Sequence, residues 1–303
     1  MPSGKKQKAA RQSGTIIASF GRQYRVELAD GTTIACVTRG KRGALACGDH
    51  VAIAATAQGQ GVIETIEPRA SLFYRSDVQR EKLIAANVTQ IVIVLAVAPA
   101  FHQELLDRCL VAAEHEKIHA LIALNKMDLA TSPAALQSLE PYRALGYGVL
   151  PLAAKLDIAP LRARLSGHIS VLVGQSGMGK STIINRLLPD AAARVGELSQ
   201  ALGGGRHTTT HAQLYHLDAT SHLIDSPGLQ EFGLHHVSPQ GLEHGFVEFR
   251  PLIGNCKFND CRHLSEPGCA IAAAVERGEI SLQRFDSYRT LITQFMRKAK
   301  RYD

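Results

Sequence analysis

The spacing of apolar positions changes period twice along the chain. Between residues 15 and 67, β-branched and apolar residues recur in short runs ("GTIIASF", "QYRVELADG", "TTIACVT", "DHVAIAAT", "GVIETIEP") separated by Gly, Asp and Lys/Arg turns. Alternation of this kind predicts half-buried strands, and Asp30-Gly31 predicts a hairpin turn. Five short strands in about fifty residues fit a small barrel, with the OB-fold as the leading choice. Residues 68–90 read as a polar connector. From Val88, continuous apolar runs alternate with helical segments: "VTQIVIVLAVAP" then "QELLDRCLVAAEHEKI", and "HALIALNKMDL" then the proline-marked "SPAALQSLEPYRALG". "YGVLPLAA" and "HISVLVG" continue the series, the latter running into a glycine-rich loop and a helix. This alternation predicts a mostly parallel, doubly wound α/β sheet. Past residue 241, "CAIAAAVERGEI" and "SLQRFDSYRTLITQFMRKAKRYD" predict helices beside a Cys/His-rich loop. The expected organisation is a basic tail (1–14), an OB-fold barrel (15–67), an α/β domain (68–240) and a small helical domain (241–303).

Composition narrows the class. With 303 residues, 45% of them hydrophobic, the chain can build two or three cores, which argues against disorder. The longest strongly apolar run, "IVIVLAVAPAF", is far short of the roughly 20 residues of a membrane helix. The N-terminus has no apolar stretch of a secretory signal. A cytoplasmic monomer without a membrane partner is expected. Net charge is +7, which favours a polyanionic partner such as RNA. Lys5, Lys6, Lys8 and Arg11 in the tail, and Arg39, Lys41 and Arg42 on a predicted barrel loop, are the candidate contacts.

"GQSGMGKST" (Gly174, Gln175, Ser176, Gly177, Met178, Gly179, Lys180, Ser181, Thr182) follows an apolar strand and opens a helix. In that context it is a phosphate-binding loop: backbone N–H groups wrap the phosphates, Lys180 faces the outer phosphates, and Ser181 ligates magnesium. "NKMD" (Asn125, Lys126, Met127, Asp128) ends an earlier apolar strand. Asp128 can accept from the ring N–H and the exocyclic amine of guanine, a donor pair that adenine lacks. Asn125 would brace base and phosphate loop, and the Lys126 stem would lie on the ring face. Ala154, in "PLAAKL", can present its N–H to the guanine oxygen. "DSPG" supplies Asp225 for magnesium, through a bridging water, and the Gly228 N–H for the γ-phosphate. "GGGRHTTT" is a glycine-loosened switch loop in which Thr209, with Thr208 and Thr210 as alternatives, would reach magnesium. Where many GTPases place a glutamine to orient the attacking water stands Leu229, so His207 is the candidate catalytic group.

These elements occur in the order base-reader, second base loop, phosphate loop, first switch, second switch, whereas an ordinary GTPase places the phosphate loop first. A circular permutation keeps every neighbour in space while moving the termini. With these motifs and the barrel sequence, nearly the whole chain resembles the ribosome small subunit-dependent GTPases, a bacterial group of circularly permuted GTPases. The resemblance implies an OB-fold, a permuted GTPase domain and a C-terminal zinc domain. It also implies late maturation of the small ribosomal subunit, with rRNA binding and subunit-stimulated GTP hydrolysis to GDP. Ala153 departs from the family pattern, which usually has Ser there.

Of six cysteines, Cys36, Cys47 and Cys109 are scattered, while Cys256, Cys261 and Cys269 form C-x4-C-x-H-x5-C with His263. Three thiolates and an imidazole make a closed tetrahedral set for one structural zinc per chain, with no open position for catalysis. Two other function classes stay open on sequence alone. One is a non-catalytic RNA-binding module with a regulatory guanine-nucleotide pocket. The other is a P-loop phosphotransferase, in which "NKMD" and the switch loops would have no role.

Overall fold

The computed structural model describes residues 11–38, 45–57, 59–76, 81–189, 212–225, 234 and 237–299. Strands β1 (Arg11–Phe20), β2 (Gln23–Leu28), β3 (Thr33–Thr38), β4 (His50–Ala57) and β5 (Gln60–Ile66) match the five alternating segments. They are ordered β1-β2-β3-β5-β4, and β1 pairs with β4 to close an OB-like barrel. The alternation puts Ile16, Val26, Ile34, Val51, Ile53 and Ile63 inside. The expected turn forms between β2 and β3: Gly31 takes φ 81°, and the Asp30 carboxylate accepts the Thr32 N–H. β1 starts inside the segment expected to be tail, where Arg11 pairs with Glu64 at 2.7 Å.

Residues 68–90 are not a plain connector. They contain an antiparallel hairpin, β6 (Leu72–Ser76) and β7 (Glu81–Ala86). Leu83 and Ala86 pack with Ala46, Leu72 and Tyr74 in a small core of their own, and buried Phe73 joins the main one. The charged "RSDVQREK", which includes the facing ends of both strands, hides this alternation in the sequence.

The second part of the sheet follows the order β10-β9-β8-β11-β13-β12. Here β8 (Gln90–Ala96), β9 (His119–Asn125), β10 (Gly148–Pro151), β11 (Ile169–Val173) and β13 (His222–Asp225) run parallel. β12 (Gln213–His216) is antiparallel to β13 and meets β1 at Ala18↔Gln213, joining both sheets. The expected doubly wound packing is visible in β8. Ile91, Ile93 and Leu95 face one core with α1 (Gln103–Glu116), and Val92, Val94 and Ala96 face the other. That second core is covered by α4 (Ala159–Leu165) and α5 (Lys180–Leu187). The proline-marked helix is two short ones, α2 (Ser132–Gln137) and α3 (Glu140–Ala144). The break falls just before Pro141, which lacks an N–H to continue the ladder from α2 but fits the first turn of α3.

The C-terminal region contains α6 (Pro239–Gly245), a 3-10 helix (Val247–Leu252), α7 (Ala270–Glu276) and α8 (Leu282–Ala299). It packs on the outer side of α1. Gly245 lets α6 approach closely, because a Cβ there would lie 2.7 Å from Val111 Cγ1. Beside this contact Arg284 of α8 is 1% exposed and bonds Asp107 of α1 at 2.6 Å and Glu248 at 2.7 and 3.0 Å. Its guanidinium also lies 4.5 Å from the Phe246 ring centre. Burial alone would lower the Arg284 pKa, but the two carboxylates outweigh it and raise it. Tyr142 donates to the same Asp107 oxygen at 2.7 Å and accepts from Gln103.

Candidate nucleotide and metal sites

The carboxyl ends of the parallel strands converge on one edge, where open α/β sheets bind ligands. Asn125 is the last residue of β9, the phosphate loop follows β11, and Asp225 is the last residue of β13. In the loop Gly174 takes φ 146° and Gly179 takes φ 95°. A Cβ at Gly174 would collide with the Val94 carbonyl, and one at Gly179 with Asn125 Nδ2. The glycines thus let the loop fold tightly against its neighbours as well as leave room for phosphates. Lys180 opens α5 and donates to the Gly174 and Gln175 carbonyls at 2.5 and 2.7 Å. Burial lowers its pKa, and Asp225 works in the opposite direction. Asp225 shows the converse: burial raises its carboxyl, and the Lys180 charge lowers it. A half-dehydrated carboxylate beside an ammonium and an exposed Ser181 is a donor set suited to a hard divalent cation and phosphate oxygens.

Asn125, 3% exposed, ties three motifs together. Its Nδ2 donates to the Met178 carbonyl at 3.0 Å, and its Oδ1 accepts the Ala154 N–H at 3.1 Å. Base motif, phosphate loop and second base loop therefore share one side chain. The Ala154 amide is itself buried and engaged with Asn125, so it can meet a base oxygen only by sharing or giving up that bond. Lys126 adopts φ 63° and donates to the Ala98 carbonyl at 2.5 Å, while Met127 N–H bonds Leu152 O across to the neighbouring loop. Asp128, three residues past the end of β9, is exposed. Thr182 lies in the first turn of α5 beside Ser181, and Ser176 and Gly177 are exposed on the loop. His207, Thr208, Thr209, Thr210, Gly228 and Leu229 lie outside the described residues, as do Arg39, Lys41 and Arg42.

The second site is built from the loop before α7. The donor atoms of Cys256, Cys261, His263 and Cys269 lie within 4.8 Å of one another. His263 Nδ1 is 3.5, 3.5 and 3.3 Å from the three sulfurs, and Cys256 Sγ is 4.0 Å from Cys269 Sγ. Thiolates around a tetrahedral zinc at about 2.3 Å are roughly 3.8 Å apart, so the set fits that ion. Backbone N–H groups of Ala270 and Ala272 point at Cys256 and Cys269. On the other face of the imidazole, Nε2–H donates to Glu243 Oε1 at 2.8 Å. This carboxylate fixes the tautomer that leaves Nδ1 free for metal. Glu243 sits in α6, twenty residues before His263, and nothing in the local spacing marks it. Glu266 closes the loop by accepting the N–H groups of Arg262, Leu264 and Ser265. Against the upward push of burial, these backbone donors hold its carboxyl down at about 2.

Residues 66–235 match the RsgA GTPase family. The chain belongs to that family. Membership makes it a GTP-hydrolysing enzyme that uses guanine nucleotide with magnesium. Among similar proteins is the small ribosomal subunit biogenesis GTPase RsgA of Nitrosospira multiformis, 56% identical over 92% of this chain and 90% of that protein. The protein of the same name from Nitrosomonas europaea is 51% identical with the same coverage. Among solved structures, YjeQ from Thermotoga maritima superposes with a TM-score of 0.75 at 30% identity, covering 95% of this chain and 99% of that one. YloQ, described as a circularly permuted GTPase, superposes with a TM-score of 0.72 at 27% identity, covering 98% and 99%. The permuted order expected from the motifs is thus the order of the fold. Of the described residues, no helix is long and apolar enough to cross a membrane.

Proposed function

We propose that the chain is a GTP-driven factor in late maturation of the small ribosomal subunit, acting as a cytoplasmic monomer that binds rRNA. Hydrolysis is slow in the free protein and fast on the subunit. The names and high identity of the curated relatives support the ribosomal part of this reading. The nucleotide part rests chiefly on Asn125, which links base motif, second base loop and phosphate loop. In this reading Asp128 reads the guanine edge, and the Lys126 stem covers one ring face. The amides of residues 174–182 wrap the phosphates, with Lys180 at the outer ones. Ser181, Thr209 and Asp225 serve magnesium, and the Gly228 N–H serves the γ-phosphate. Cys256, Cys261, His263 and Cys269 hold one structural zinc that shapes the 241–303 domain, while the 15–67 barrel offers its basic loop to RNA. Since Leu229 cannot orient water, His207 is brought in when docking orders the first switch.

GTP turnover with and without purified small subunits tests the whole reading. Stimulation of at least tenfold is expected, and its absence would remove the subunit from the mechanism. His207→Ala should lower stimulated turnover at least tenfold, since a positioned proton-transfer group typically contributes about 10²–10⁴-fold, with GTP affinity and subunit binding retained. Turnover that survives the substitution removes His207 from that role.

A further inference from the structure

The segment Val97–His102 joins β8 to α1 and carries none of the sequence motifs, yet it bonds to both halves of the nucleotide site. On one side the Val97 N–H donates to Asn125 O at 3.1 Å, and the Lys126 ammonium donates to Ala98 O at 2.5 Å. On the other side the His102 N–H donates to the side-chain Oε1 of Gln175 at 2.9 Å. Pro99 also lies against Gly177, at the distance of ordinary van der Waals contact for a Cβ placed there. The Gln175 side chain therefore reaches segment 97–102, while its backbone belongs to the phosphate loop.

Lys126 needs such support. With φ 63° it holds a left-handed conformation that disfavours a residue with a Cβ, and such conformations persist only where surroundings over-determine them. The surroundings here are the Met127–Leu152 backbone bond and the Ala98 carbonyl. That carbonyl can hold the ammonium only if its own segment is fixed.

We propose that Gln175 is a positioning residue for the base: its side chain pins segment 97–102 to the phosphate loop, so that Ala98 O keeps the Lys126 stem over the ring face. This rests on the guanine-site reading above and deepens it, assigning base affinity to a phosphate-loop side chain that touches no base. Because the stem covers a ring face and not an edge, the effect is the same for GTP and ITP, which differ only at the edge.

The test uses steady-state hydrolysis by the full chain with GTP and with ITP. Gln175→Met keeps the length and removes the acceptor. His102→Pro removes the donor from the other side, at a residue whose φ of −88° is close to that of a proline ring. Each should raise KM for both nucleotides by the same factor, roughly threefold to tenfold for a lost hydrogen bond, with kcat within about twofold. Lys126→Ala should raise KM further, and adding Gln175→Met to it should change nothing more. A double variant whose effects multiply would show that Gln175 acts independently of Lys126 and overturn the proposal. So would an unchanged KM in Gln175→Met and His102→Pro, or a change in the GTP/ITP ratio. If Lys126→Ala itself left KM unaltered, the base-site reading would fail, and this proposal with it.

Discussion

Removing Arg284 tests how the C-terminal domain is held on α1. The guanidinium is 1% exposed, Asp107 is fully buried, and the Glu248 side chain is 7% exposed. Asp107 Oδ2 already lies buried with no hydrogen-bond partner among the described residues. Arg284→Met keeps most of the apolar stem but leaves two carboxylates facing each other without a counter-charge. Breaking a buried pair in this way costs about 3–5 kcal/mol. Loss of the cation–π contact with Phe246 adds on the order of 1 kcal/mol. Since Arg284 ties α8 to α1 and to the 3-10 helix, the cost should appear as local opening of α8 and the 3-10 helix from α1. At 1.36 kcal/mol per decade, 3–5 kcal/mol speeds amide hydrogen exchange in α8 and the 3-10 helix by roughly two to nearly four decades, with barrel amides unchanged. The triple variant Arg284→Met, Asp107→Asn, Glu248→Gln removes all three charges and keeps an acceptor for Tyr142. It should regain most of the protection. Exchange within threefold of the parent in Arg284→Met, or a triple variant as labile as the single one, would refute the reasoning.

Three further outcomes are expected. Asp128→Asn should weaken GTP binding more than tenfold and shift preference toward xanthine nucleotides, because an amide suits a carbonyl at that base position; equal GTP binding by titration would exclude Asp128 as base-reader. Glu243→Gln should lower zinc affinity about 10- to 100-fold while one zinc per chain still binds in excess metal, and Cys261→Ser with Cys269→Ser should abolish it; metal analysis and chelator competition measure both, and zinc-free protein purified without chelator would refute the site. Asp225→Asn should abolish most magnesium-dependent GTP turnover, yet raise Tm of the nucleotide-free protein at pH 7. The sign follows from its raised pKa: the carboxyl's favourable contribution belongs to the neutral form, is complete below the ordinary value of 3.8, and is lost as pH rises through the raised one. The Tm difference between parent and variant should therefore vanish near pH 3, and an unchanged or lowered Tm at pH 7 would contradict it.

What could be read from the sequence was what is local. The phosphate loop, "NKMD" and the Cys/His spacing each pack their chemistry into a few residues, and five short strands of period two pointed to a small barrel. Features that depend on distant partners were hidden. Glu243 reads as an ordinary helix carboxylate until His263 is seen against it. Arg284 and Asp107 are 177 residues apart, and each alone resembles a solvated helix charge. The β6–β7 hairpin was masked by its charged turn, and β12 by its shortness, four residues between β13 and β1. Ala154 could be singled out from the sequence, but its amide's engagement with Asn125 is a matter of three dimensions.

The strand β1 serves two masters. Residues 11–15 pair with β4, and a register shift between Ile16 and Ala18 then redirects the strand so that Ala18 meets Gln213 of β12. Past that bulge the barrel is sealed by a neighbour that belongs to the α/β sheet. A fragment ending at residue 67, an obvious choice for isolated RNA-binding work, would expose that half of β1 as a bare hydrogen-bonding edge. Such an edge recruits any strand it meets, including its own copies. The fragment's self-association would then be mistaken for a property of the barrel, when it is the scar of a missing domain.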